Sequence, residues 1–174
     1  MSDIPLANSY SPSTYDESLN NLTTRWQEKS DEGPVKYDQA ALTLDASTVS
    51  TALKYLGDIG LIDSPKAGYY EVPDEVIDYR TKLGEVKADA KRQVVDRISG
   101  YPVYEESKIR VKIDEIKIEE LAEAVGGSAQ VSASESDLKK IERSIKILAE
   151  FGLFNIDEEG MVSLPDSTEP DSSE

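Results

Sequence analysis

Residues 53–73, LKYLGDIGLIDSPKAGYYEVP, return without a gap 92 residues later as residues 145–165, IKILAEFGLFNIDEEGMVSLP. Lys54, Leu56, Gly60, Leu61, Gly68 and Pro73 meet identical residues at Lys146, Leu148, Gly152, Leu153, Gly160 and Pro165, six identities in 21 positions. Such a repeat restricts the chain to architectures built from one supersecondary unit used twice. Within each copy an apolar helical stretch runs into a glycine where a left-handed cap belongs. Two short extended stretches around a turn come next.

The text around the first copy fills in its unit. Tyr15, Leu19, Leu22 and Trp26 fall on one face of a helix that Ser13 is placed to cap, and Gly33–Pro34 break it. A second helix carries Tyr37, Ala40, Ala41 and Leu44 on one side. The third helix, with Val49, Ala52, Leu53, Leu56 and Ile59 at helical spacing, starts after the capping candidates Asp45 and Ser47. In the second half, Val86, Ala90, Val94 and Ile98 predict a helix stopped by Ser99, Gly100 and Pro102. Ile109, Val111 and Ile113 alternate with Lys108, Arg110 and Lys112, as in a half-buried strand whose outward cations guard an edge. Ile116 and Ile118 extend that sheet, Leu121, Ala122 and Val125 mark a short helix, and 126–134 form a connection to a third helix over 135–151. The expected domains are a flexible N-terminus 1–12, a first domain 13–83, a second domain 84–165 and a disordered acidic tail 166–174.

Helix, helix, helix, hairpin is the order of the winged helix, and the 53–73 stretch resembles the third helix and wing of that family. The resemblance implies an α+β fold, mainly α: two winged-helix domains in tandem, each a three-helix core plus a β-hairpin wing. It does not choose a ligand, because winged helices serve both DNA and protein partners.

Composition narrows the chemistry. The chain has neither Cys nor His, which removes thiol nucleophiles, thiolate zinc sites, disulfides and the usual near-neutral general base. Its glycines form no phosphate-cradling motif. The reading is therefore of a protein that is not an enzyme and uses no cofactor and no metal. No apolar run is long enough to span a membrane and the opening residues do not read as a signal peptide, so a cytoplasmic location is expected. The net charge of −16 argues against a polyanionic partner at low salt. Acid spread evenly over both halves, however, is similar to the proteins of salt-loving archaea, which work where the Debye length is about 3 Å.

If double-stranded DNA is the partner, the informative residues lie on the outer side of each third helix. With Leu138, Ile141, Ile145 and Leu148 inward, Lys139, Arg143, Lys146 and Glu150 point outward, flanked by Lys140 and Ile147. The 92-residue offset places Ser47, Thr51, Lys54 and Asp58 on the same face of the first copy, with Thr48 and Tyr55 beside them and Lys66 at the wing tip. The DNA-contact candidates are thus Lys139, Lys140, Arg143, Lys146, Ser47, Thr48, Thr51, Lys54, Tyr55 and Lys66, in a transcription regulator. A solvated helix face explains the cations equally well. The second wing carries Asp157, Glu158 and Glu159, which repel phosphate. Together with Ile147 on the outer face, that acid supports the alternative, a protein-binding module of a chromosome-associated or other complex, or a homodimer.

Overall fold

A computed structural model describes residues 5–7, 10–28, 33–128 and 135–165. The chain is α+β and mainly helical, and it divides into two compact units, residues 13–100 and residues 101–174 with 1–12. The first contains α1 (Pro12–Glu28), β1 (Val35–Lys36), a 3-10 turn (Tyr37–Ala40), α2 (Ala46–Asp58), β2 (Asp63–Lys66), β3 (Tyr69–Glu71), α3 (Asp74–Thr81) and α4 (Gly84–Ile98). The second contains α5 (Pro102–Ile113), β4 (Ile116–Lys117), α6 (Ile118–Ser128), α7 (Glu135–Glu150), β5 (Asn155–Ile156) and β6 (Met161–Ser163). The acidic tail 166–174 lies outside the described residues.

The repeated stretch is a repeated structure. In each copy the third helix ends in a Schellman turn: Gly60 N–H donates to Gly57 C=O at 3.1 Å and Leu61 N–H to Leu56 C=O at 3.0 Å. Gly152 to Ala149 and Leu153 to Leu148 do the same at 2.9 Å each. Both turns need a left-handed residue, and Gly60 and Gly152 supply it at φ +95° and +85°. Each then runs into a hairpin whose second strand also pairs with a short strand from earlier in the chain. The antiparallel orders are β1-β3-β2 and β4-β6-β5. Val35 faces Tyr70 and Ile116 faces Val162, both apolar pairs. Val35 and Ile116 lie 81 residues apart and Tyr70 and Val162 lie 92 apart, so the second unit holds 11 more residues between its first strand and its second strand pair. The 3-10 turn of the first unit becomes the 11-residue α6 of the second, and residues 129–134 of the expected connection lie outside the described residues.

The first helices also correspond. Tyr15, Ser18 and Leu22 in α1 and Tyr104, Ser107 and Val111 in α5 share one spacing, and all six are buried. Tyr15 packs edge-on against Tyr55, and Tyr104 tilts against Phe154 with centroids 5.7 Å apart.

Several expectations are corrected. Residues 109–113 are not strand but the end of α5. Pro102 sits at its first position, and Val103, Tyr104, Ser107 and Val111 supply a helical buried face, leaving Ile109 and Ile113 54% and 82% exposed. Lys108, Arg110 and Lys112 therefore guard no edge strand; Lys108 lies over the Tyr104 ring at 5.5 Å. The expected second helix shrinks to the 3-10 turn, because side-chain bonds from α1 fix residues 39–43: Asn21 to Thr43 at 3.1 Å, Thr43 to Glu17, and Arg25 to the Gln39 carbonyl at 2.9 Å. Ser13 lies inside α1, which starts at Pro12. Ile118 starts α6, and Val86 is exposed.

The helix 84–98, placed by sequence with the second domain, packs in the first unit on α3. Arg97 secures it, donating to the Gly60 carbonyl at 3.0 Å and pairing with Glu75 at 3.3 Å and with Asp63. Leu83, the expected boundary, is 83% exposed at the head of α4.

Part of the N-terminus expected to be flexible is docked. Ala7 is fully buried and its N–H donates to Ser144 Oγ at 2.9 Å, while Tyr101 donates its hydroxyl to the Pro5 carbonyl at 2.7 Å. Both bonds engage the arm's backbone. Ser144→Ala is expected to cost about 1–2 kcal/mol, since it leaves a buried N–H unpaired. The equally buried Ser107 Oγ has no partner among the described residues, so Ser107→Ala should be neutral or stabilising by up to about 1 kcal/mol. Urea melts of the two variants with opposite order would refute this assignment of the two serines.

Candidate functional site

The outward faces of α2 and α7 are the candidate site, and a helical wheel orders them. On α7 the buried arc holds Ile141, Ser144, Ile145, Ile147 and Leu148. Opposite it stand Lys139, Arg143 and Lys146, interleaved with Glu135, Glu142 and Glu150, so the face is close to neutral in a chain of −16. Lys139 and Lys146 are exposed and Arg143 is half-exposed. Among the described residues no ion pair engages those three cations. Lys140 is also half-exposed, and its carbonyl accepts the Ser144 hydroxyl at 2.9 Å, which puts it on the flank that faces the packed arm.

On α2 the corresponding face holds Ser47, Ser50, Thr51, Lys54 and Asp58. Ser47 and Lys54 are exposed, and Thr48 and Thr51 are half-buried. Lys54 pairs with Asp58 at 3.0 Å, one turn on. Tyr55 does not belong to this face: it is 5% exposed, with its ring 5.5 Å from that of Tyr15. Its counterpart Ile147 is fully buried too. The reason is shared. In both units the buried arc of this helix is wider than the inward positions counted from the sequence, and it takes in the flank where residues 55 and 147 lie.

The wings differ. Lys66 is exposed at the first tip with its ammonium 4.5 Å over the Tyr69 ring. At the second tip Asp157 is engaged in its own turn, accepting the N–H groups of Glu159 at 2.9 Å and Met161 at 3.0 Å, while Glu158 and Glu159 stay exposed.

Between third helix and hairpin each unit has a groove. The first has a volume of about 540 Å³ and the second about 450 Å³. They use corresponding positions: Lys54 and Lys146, Gly57 and Ala149, Asp58 and Glu150, Ile62 and Phe154. In the first groove burial, and secondarily the Asp58 carboxylate, push the Tyr70 phenol above its ordinary value of 10.0. Ser50, which lines this groove, was missed from sequence; the signal was its i, i+4 spacing to Lys54. A methyl on Gly57 would sit 3.6 Å from Tyr70 Cε1 and 3.8 Å from Ser64 Cβ, ordinary contact distances. Gly57→Ala is therefore expected to stabilise by about 0.5–1 kcal/mol through its helical preference. A lowered urea midpoint would show that the groove floor is tighter than these distances imply.

Among the described residues no group of three or more acidic side chains is placed to hold a metal ion, and no helix is long and apolar enough to cross a membrane. No protein-family model matches the chain, and no curated protein matches it significantly.

Proposed function

We propose that the chain is a tandem winged-helix protein that binds double-stranded DNA through the outward faces of α2 and α7, acting in the cytoplasm of a salt-adapted archaeon as a regulator of transcription. The observation that carries this reading is the set Lys139, Arg143 and Lys146, gathered on the outward face of α7 and without ion pairs among the described residues. The identical strand order and cap geometry of the two units, and the matching register of β1 on β3 and β4 on β6, support the tandem assignment. Ser47, Ser50 and Thr51 give the first unit hydrogen-bonding groups in place of charge, suited to base edges more than to phosphates.

The acid of the chain is compatible with this only at high ionic strength, so the deciding experiment is a titration of labelled genomic fragments across a salt series that includes molar KCl. No affinity at any salt at which the protein stays folded would end the DNA reading. The second reading, a protein-binding module, is favoured by Ile109 and Ile113, one turn apart on α5 and exposed, and by the acidic second wing tip.

A further inference from the structure

Each third helix ends in a carboxylate. Asp58 is the last residue of α2 and Glu150 the last of α7, and neither helix has a basic residue in its last turn. Helix electrostatics disfavour this, since the C-terminal end of the dipole is negative and prefers a cation. The spacing is also the weaker orientation for a pair: Lys54 and Lys146 precede the acid by four residues, whereas acid before lysine stabilises a helix more. Both copies nonetheless keep lysine and acid at the same two positions, on the rim of the same groove. In the first copy the two are in contact, Nζ to Oδ2 3.0 Å, with the lysine side chain 72% exposed.

Resting on the DNA reading above, we propose that Asp58 and Glu150 are specificity residues: built-in counterions that occupy or shadow the phosphate-facing lysines Lys54 and Lys146 and suppress binding to arbitrary DNA. A phosphate approaching either lysine must displace the carboxylate or sit beside it, and neither is favourable unless base contacts elsewhere on the helix compensate. Nonspecific affinity comes almost wholly from phosphate contacts, so it is lowered most, and discrimination between sequences rises. The arrangement also reduces the number of salt ions released on binding, which suits a protein working in concentrated salt.

The test is the double variant Asp58→Asn with Glu150→Gln, titrated by fluorescence anisotropy against a labelled mixed-sequence duplex about two helical turns long, over a KCl series. The expected result is nonspecific binding about tenfold tighter or more at low salt, with the logarithmic salt slope steeper by about 1–2, the equivalent of one or two recovered phosphate contacts. Adding Lys54→Gln and Lys146→Gln should cancel the gain. A control with the same change of charge, Asp96→Asn with Glu115→Gln at exposed positions on α4 and just after α5, should tighten binding far less. The melting temperature of the double variant should hold or rise; a fall would mark the pairs as helix-stabilising and overturn the proposal. Equal tightening by the control, or wild-type binding that the double variant does not change, overturns it while leaving the DNA reading intact. Failure of both wild type and double variant to bind at any salt overturns the two together.

Discussion

Replacing Gly60 with alanine is expected to destabilise the first unit by about 3 kcal/mol or more, a large share of the roughly 5–15 kcal/mol by which a small domain holds together. Two penalties add. The backbone at φ +95° lies in the left-handed region, which costs an L-residue about 1–2 kcal/mol. The added Cβ would also lie 2.5 Å from the Arg97 carbonyl oxygen, backbone that moves only if α4 moves. The Arg97 side chain meanwhile donates back to the Gly60 carbonyl at 3.0 Å, so a shift of α4 also disturbs that bond and the pairings with Glu75 and Asp63. Gly152, at φ +85° and exposed, carries the same conformational penalty, about 1–2 kcal/mol for Gly152→Ala. Urea unfolding of the two variants separates the effects. A Gly60→Ala cost no larger than the left-handed penalty alone, about 1–2 kcal/mol, would mean that α4 is not seated on this turn as described.

The second large effect concerns binding. Changing Lys139, Arg143 and Lys146 together to glutamine should weaken DNA affinity by about 10- to 100-fold at low salt and reduce the salt slope by about 2–3, at roughly 0.9 for each phosphate no longer neutralised. Stability should stay within about 0.5 kcal/mol of wild type, because the three side chains face away from the buried arc of α7. Arg143 differs from the lysines in kind. Its planar fork can pair bidentately with guanine, so Arg143→Gln alone should relax sequence preference by about 1–3 kcal/mol at one base pair. Lys140 is left out of the set because its half-buried flank faces the docked N-terminal arm. A triple variant that binds DNA as tightly as wild type would remove α7 from the interface and turn attention to the exposed isoleucines of α5.

Much of each unit was legible in sequence because its signals are local. The apolar spacing from Val49 to Ile59, the glycine that must go left-handed and the turn behind it are all encoded within about two dozen consecutive residues, and the 92-residue repeat lets one copy vouch for the other. The strand β1 was not legible in this way, and β4 only through Ile116, read as the continuation of a sheet whose other residues prove helical. Each is two residues long, too short to show alternation, and exists only because the hairpin's second strand offers it a partner far along the chain. The false strand at 109–113 came from reading Ile109, Val111 and Ile113 as one face, when only Val111 is covered and two isoleucines are left in solvent.

For the candidate site, the sequence alone determined which helix faces outward in each unit and which cations it carries, since both derive from helical periodicity. Tertiary structure decided how wide that face is. Tyr55 and Ile147 sit at its margin, and a marginal position is buried or exposed according to what packs beside it: Tyr15 of α1 in the first case, a wider buried arc of α7 in the second. Tertiary structure also decided where the domains divide, because α4 has an amphipathic pattern that suits either neighbour. Arg97, reaching the Gly60 carbonyl, Asp63 and Glu75 at once, holds it to the first unit through contacts that no local pattern announces.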